Sequence, residues 1–331
     1  MNELNVCPGT LKKGFSTFSP ACLKELFGGK SVSHVLPYHS IGDDEETSTK
    51  FVENRKRISI SGVQEKLSLK VDGRQLVLTE ADERGTYLLK PIPRDLVNVK
   101  EVPANEHLTM QIAKQVYKLD VAPNALVFFQ DGTPAYITKR FDLLKSGQKA
   151  SVEDFASLAG RTNQNGGENF KYDYSYEEMG QLIKRYIPSW RVEVEKFYRL
   201  VLFNYLFSNG DAHLKNFSVI ETSAGDYQLS PAYDLINTKL HVSDSAFALS
   251  KGLFSDGFKS EKYSAVGAPT ADDFREFGRR LGIVSTRINK LLYPFLAYDS
   301  AIEELISHSF LSKKTKRGYL QMYRQRRNTL T

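Results

Sequence analysis

The chain has 331 residues, of which 41% are hydrophobic and 25% charged, the composition of a globular protein with room for one large or two modest cores. No stretch approaches the roughly 18 uninterrupted apolar residues that span a bilayer, and the first residues lack the apolar core of a secretory signal, so no membrane partner and a cytoplasmic location are expected. The net charge of +6 is local: Lys313, Lys314, Lys316, Arg317, Arg324, Arg326 and Arg327 form one acid-free run, and without them 38 basic and 39 acidic residues remain.

In chain order, Cys7 and Cys22 come first. Neither has a metal-ligand spacing and the histidines are scattered, so no zinc site is expected, and the low cysteine count suits a reducing compartment. Residues 1–55 form an N-terminal segment. Its polar end, from about residue 40, reads as a surface loop or mobile linker, so the segment is expected to be partly flexible. "KRISISGVQEKLSLK", residues 56–70, then sets Ser59, Ser61 and Gly62 before a strand-like alternation in which Leu67 and Leu69 are apolar. A loop of this kind can aim backbone N–H groups at phosphates. Its one glycine departs from G-x-G-x-x-G, and an ordinary loop would look the same.

"EKLSLKV", the turn signal Asp72-Gly73 and "RQLVLTE" predict a hairpin, and "GTYLLKP" a third strand stopped by Pro91. "NEHLTMQIAKQVYKL" predicts a helix with Leu108, Ile112, Val116 and Leu119 on one face. "NALVFFQ" and "TPAYITKRFD", flanking Asp131-Gly132, predict a second hairpin. The remainder reads as mainly helical. "YEEMGQLIKRYI" gathers Met179, Leu182, Ile183 and Tyr186. "VEKFYRLVLFNYLFSN" is apolar around much of its circumference, as a buried helix is. "FSVI" and "YQLSPAYDLI" are short strand candidates, and "ADDFREFGRRLGI" and the segment after Ala301 are further helices. In the basic run, Tyr319, Met322 and Tyr323 can supply an apolar stripe. A solvated helix face is therefore favoured over a nucleic-acid patch.

The stretch richest in chemistry is "SNGDAHLKNFSVI", residues 208–220, directly after the apolar helix. Asp211 and Asn216 stand five positions apart, and Asp234 follows in "LSPAYDLI". Phosphoryl transfer needs a carboxylate to orient a hydroxyl and take its proton, and oxygen ligands for Mg²⁺. The order Asp, Asn five on, then Asp matches the catalytic and metal-binding loops of kinases. Asp and Asn also cap turns, but an ordered triplet behind a buried helix is a more specific signal than one pair. Lys90 ends the apolar run "TYLLK" and can hold a phosphate. Glu106, opening the next helix, can pair with it, or can merely stabilise the helix N-terminus.

These pieces, with "SISGVQEKLSL", "NEHLTMQIAK" and "ITKRFD", occur in the order of a known family. The chain resembles the HipA-like serine/threonine kinases, toxins of bacterial toxin–antitoxin systems, over roughly residues 56–310. The resemblance implies an α+β, two-lobed protein-kinase-like fold: a strand-rich N-lobe at 56–142 with its glycine-containing loop, and a helical C-lobe at 143–331. It implies ATP and Mg²⁺ as cofactors and Asp211 as catalytic base. Asn216 and Asp234 become the magnesium ligands. The nucleotide is contacted by Ser61, Gly62, Val63, Gln64, Glu65, Lys90, Lys139, His213, Lys215 and Asn216, with residues 137–140 as the hinge beside adenine. The chain looks like the short, HipT-like members that lack an N-terminal subdomain of about a hundred residues. Those members carry two autophosphorylation serines, matching Ser59 and Ser61. A phosphate there would add about −1.5 to −2 charges to a loop meant for ATP, so self-inhibition is expected.

The resemblance further implies an aminoacyl-tRNA synthetase as protein substrate, a HipB-like helix-turn-helix antitoxin, and a HipS-like small protein as a further partner. DNA would be reached only through the antitoxin. Two other readings share the same residues: a catalytically weak, kinase-like regulatory protein, and a small-molecule phosphotransferase. The joint presence of Lys90, Asp211, Asn216 and Asp234 argues against the first; the second shares the chemistry.

Overall fold

The structure is a computed structural model that describes residues 4–40, 66–80, 83–93, 97–144 and 147–331. Its strands are β1 Leu67–Asp72, β2 Gln75–Leu78, β3 Tyr87–Lys90, β4 Asn124–Phe128, β5 Pro134–Lys139, β6 Val152–Asp154, β7 Ser218–Glu221 and β8 Tyr227–Leu229. The helices used below are α1 Pro20–Phe27, α2 Val102–Gln115, α3 Tyr176–Tyr186, α4 Trp190–Leu206, α5 Ala271–Arg280, α6 Ser285–Leu296, α7 Ser300–His308 and α8 Lys313–Leu330. The chain divides into two compact units. The first comprises Met1–Ile112, Ala122–Phe141 and Ala301–Lys316; the second comprises Ala113–Val121, Asp142–Ser300 and Arg317–Thr331. Among the described residues no helix is long and apolar enough to cross a membrane.

The first unit is built on an antiparallel sheet ordered β2-β1-β3-β5-β4. Strand alternation sorts its side chains onto two faces. One face is apolar, with Leu67, Leu69, Leu76, Tyr87, Leu89, Val127 and Ile137 in one buried cluster. The N-terminal segment, to which no role could be given from sequence, covers this face: Cys7, Phe18, Cys22, Leu26, Phe27 and Leu36 belong to the same cluster. Helix α1 forms there because Ser19 caps it, its Oγ accepting from the Cys22 N–H, and Pro20 opens it. Gly28, at φ +64°, closes it. The segment also shields the edge strand β4. The Leu126 N–H donates to Pro8 O at 2.8 Å and the Phe128 N–H to His34 O at 2.8 Å, pairing groups that would otherwise invite association.

The other face of the sheet carries polar groups, and α2 lies over it. Lys90 on β3 stands opposite Tyr136 on β5, and Gln111 Nε2 of α2 donates to Asn124 Oδ1 at 3.0 Å. Asn105, Glu106, His107, Thr109 and Gln111 are all buried, which is affordable only because partners meet them. The helix stops at Gln115 because Lys118 takes φ +51° and the Leu119 N–H turns back to Ala113 O at 3.0 Å.

His107 ties α2 to the N-terminal segment, its Nε2–H donating to Gly9 O at 3.2 Å. Burial pushes this imidazole down to about 4. The unfolded chain protonates near 6.5, so its contribution is fully present above that pH and is lost as pH falls through about 4. Stability to urea should therefore decline with acidification over that window. In His107→Gln the decline should be shallower by up to about 1.4 kcal/mol per pH unit. Identical slopes in the two proteins would dismiss the assignment.

The second unit is helical around α4. Its rings Phe197, Tyr198 and Phe203 are buried, with Phe155, Phe217 and Phe277 packed about Phe197. Helix α3 begins at a capping box: Ser175 Oγ accepts from the Glu178 N–H at 3.1 Å, and Glu178 Oε2 accepts from the Ser175 N–H at 2.8 Å. A small antiparallel sheet ordered β6-β7-β8 supports the segment that follows α4. Tyr319 and Tyr323 of α8 are buried, and Lys313, Lys314 and Arg317 stay exposed. The apolar stripe within the basic run is thus present.

Candidate active site

In the first unit, strand pairing and helix α2 bring Lys90 and Glu106 together. Lys90 Nζ donates to Glu106 Oε1 at 2.7 Å, and the side chains are only 5% and 3% exposed. The ammonium lies 5.4 Å from the centroid of the Tyr136 ring. Two opposite charges this deeply buried are held by each other, since neither could be desolvated alone at tolerable cost. Lys139 ends β5, its backbone N–H donating to Pro123 O at 2.8 Å.

In the second unit, α4 delivers the chain into a tight turn at Ser208, φ +53°. Thr238 pins this turn: its N–H donates to Ser208 O at 3.1 Å, and its Oγ1 accepts the Gly210 N–H at 2.8 Å. Gly210 is required by packing, because a Cβ there would sit 2.2 Å from Asp244 Oδ2 and 2.8 Å from Ser245 O. Asp211 follows, 55% exposed. Tyr172 Oη donates to Asp211 Oδ1 at 2.9 Å. Among the described residues Oδ2 accepts no hydrogen bond, so one oxygen is anchored and the other is open to an incoming hydroxyl. Burial and the Asp211 charge hold the Tyr172 phenol above its ordinary range, so it remains a donor.

One helical turn at Leu214–Asn216 folds Asn216 back, its Oδ1 accepting the His213 N–H at 3.3 Å. Asn216 Nδ2 in turn donates to Asp234 Oδ2 at 3.4 Å. Asp234 takes φ +56°, a left-handed conformation that Asp tolerates better than most residues. Asn209 bridges the two loops, donating to Asn204 Oδ1 at 2.8 Å and to Asp234 O at 3.4 Å. Tyr233 Oη donates to Lys215 O at 3.0 Å and adds a second tie. Burial pushes the His213 imidazole down to about 4, against the pull of Asp211. It is therefore neutral at physiological pH, with Nε2 3.9 Å from Asp211 Oδ1. Lys215 Nζ lies 5.9 Å from the Phe170 ring centroid.

The sequence triplet is thus gathered: Asn216 and Asp234 touch, and Asp211 is joined to Asn216 through His213. Tyr172, Asn209 and Thr238, which hold these residues, were not singled out from sequence. Ser59 and Ser61 through Glu65 lie outside the described residues. Among the described residues there is no group of three or more His, Cys, Asp or Glu side chains that could cage a metal. An amide oxygen at Asn216 and a carboxylate at Asp234 do suit Mg²⁺, which takes one or two protein oxygens and completes its shell with phosphates and water.

A protein of Haemophilus influenzae named "Putative kinase" is 27% identical over 98% of this chain and 96% of its own length. The serine/threonine-protein kinase toxin HipA of Shewanella oneidensis is 25% identical over 57% of this chain, which spans 45% of that relative. A solved complex of Shewanella oneidensis HipA with HipB and operator DNA holds a chain of the same fold. It has a TM-score of 0.61 and 22% identity, over 82% of this chain and 63% of that one. The fold is therefore kinase-like. The model of the HipA-like C-terminal domain matches residues 58–297, and with more than half of its length so matched the chain belongs to the HipA-like C-terminal domain family.

Proposed function

We propose that the chain is a serine/threonine protein kinase and the toxin component of a toxin–antitoxin system. It would transfer the ATP γ-phosphoryl group to a protein hydroxyl, with an aminoacyl-tRNA synthetase as the substrate its family resemblance implies. The observation that carries this reading is the Asn216–Asp234 contact beside an Asp211 with one anchored and one open oxygen. In the proposed step a substrate hydroxyl gives its proton to Asp211 while its oxygen bonds to the γ-phosphorus. The bond from that phosphorus to the β,γ-bridging oxygen breaks, and ADP leaves. Mg²⁺ at Asn216 and Asp234 would neutralise developing charge on the phosphates. Lys90, oriented by Glu106, would hold the nucleotide as a point charge. Residues 56–142 would act as the N-lobe and 143–331 as the C-lobe, with Lys139, His213 and Lys215 near the nucleotide. Ser59 and Ser61 are proposed autophosphorylation sites that limit the enzyme.

A HipB-like antitoxin partner is supported by the HipB present in the Shewanella oneidensis complex; a HipS-like small protein rests on the resemblance alone, and a cytoplasmic location on the low cysteine count. The test is labelled phosphoryl transfer from ATP to proteins of a bacterial lysate. Wild type should label a discrete protein in a Mg²⁺-dependent manner, and Asp234→Asn should need far more Mg²⁺ to do so. Labelling confined to small molecules would replace this reading with a small-molecule phosphotransferase. No labelling at all, with the protein folded, would favour the regulatory one.

A further inference from the structure

On the second unit, between the C-terminal half of α8 and residues 262–270, lies a cavity of about 1020 Å³ that the proposed chemistry does not use. Its lining includes the cations Lys239, Lys262 and Arg326 and no acidic side chain; Thr331, which bears the terminal carboxylate, also lines it. Arg326 is built into place: its guanidinium lies 4.9 Å from the centroid of the buried Tyr205 ring, and its Nε donates to Ser208 Oγ at 3.4 Å. Neither Lys239 nor Arg326 has a carboxylate within ion-pair distance among the described residues, and Lys262 has Asp272 only at 4.0 Å. The acid that acts on Lys239 is Asp244, already engaged by the Thr238 hydroxyl. Lys239 is held below its ordinary value by burial and by the neighbouring Arg326 charge, a repulsion that a bound anion would relieve. Gln321, Gln325 and Thr329 add neutral donors around the cations.

We propose that this cavity is an anion site that takes a phosphate group, carried by a small molecule or by a phosphorylated side chain of a polypeptide. A guanidinium fixed on an aromatic face and turned to a lining with no acidic side chain presents the fork that phosphate oxygens accept. Lys239 and Lys262 add mobile point charges on either side. The site also touches the reaction loop, because Ser208, which lines it, stands three residues before Asp211. Occupancy there would load the turn that Thr238 pins.

The experiment is calorimetric titration of the full chain with pyrophosphate in EDTA, so that no Mg²⁺-dependent nucleotide site contributes. A phosphoserine peptide and its glutamate counterpart are titrated in parallel. Wild type should bind pyrophosphate, and Arg326→Gln and Lys239→Gln should each weaken binding about tenfold. Arg326→Lys should lose less than Arg326→Gln. Tighter binding of the phosphoserine peptide than of pyrophosphate assigns the site to a polypeptide, and the reverse to a small molecule; either supports it. Unchanged affinity in both Arg326→Gln and Lys239→Gln overturns the proposal, as does a glutamate peptide binding as well as the phosphoserine one.

Discussion

Asp211→Asn is expected to leave the chain folded and to lower phosphoryl transfer by about 10²- to 10⁴-fold, the usual worth of a positioned general base. The fold should survive because Asp211 is more than half exposed and, among the described residues, its one side-chain hydrogen bond runs from Tyr172 to Oδ1. An asparagine keeps that acceptor. What it loses is a carboxylate able to take a proton. Nucleotide affinity should stay within a few-fold, because the residues proposed to meet the phosphates and Mg²⁺ are untouched. Tyr172→Phe is the companion variant: it frees the anchored oxygen but leaves the base, so its loss should be smaller. Initial rates of labelled transfer, with nucleotide binding measured separately, decide the matter. An Asp211→Asn protein with wild-type turnover would remove Asp211 from the chemistry.

Lys90→Met is expected to cost about 3–5 kcal/mol of stability, because it removes the ammonium that pairs with the buried Glu106 carboxylate. Both side chains are nearly inaccessible and their charged atoms are 2.7 Å apart. Adding Glu106→Leu removes that carboxylate, and the double variant should recover most of that loss, since apolar groups of similar volume replace buried ion pairs at little cost. Transfer activity should not return, because the ammonium proposed to hold the phosphates is still missing. Urea denaturation of the single and double variants, read beside their activity, separates the two roles. Stability unaffected by Lys90→Met would show the pair to be dispensable to the fold. Activity restored in the double variant would remove Lys90 from nucleotide binding.

The strands of the larger sheet were legible because period-two alternation survives wherever one face is apolar, as at Leu67, Leu69 and Leu76, Leu78. The first turn falls one residue later than Asp72-Gly73. Asp72 pairs with Gln75 and the loop is Gly73-Arg74, with Gly73 at φ +55°. Helix α2 was found, but its ends shifted: Pro103 fits its first turn, and Lys118 ends it without the glycine that usually marks such a stop. Helix α1 carried its signals in plain view, Ser19-Pro20 before and Gly28-Gly29 after. Within only eight residues these did not build a periodic pattern. Strand β6 went unread because it has only three residues; helix α6 went unread although Ile288, Leu291, Leu292 and Phe295 recur at helical spacing, because Pro294 inside it argues against a helix. In the site, Asp211, Asn216 and Asp234 were readable because they are close in the chain and ordered. Tyr172 was not, because it reaches Asp211 across 39 positions and no local pattern announces such a meeting.

The first unit draws on three separate stretches, the last of them Ala301–Lys316. During synthesis its sheet and N-terminal cover are therefore made long before their final piece, which follows the second stretch by about 160 residues. At 5–20 residues per second the ribosome needs roughly 8 to 32 s to supply it. Throughout that interval Phe128, whose ring packs on Phe310 in the finished molecule at 5.6 Å, has no such cover. A nascent chain in this condition is a natural client for chaperones that shield exposed apolar surface, and a stop codon before residue 301 would leave the first unit permanently in that state.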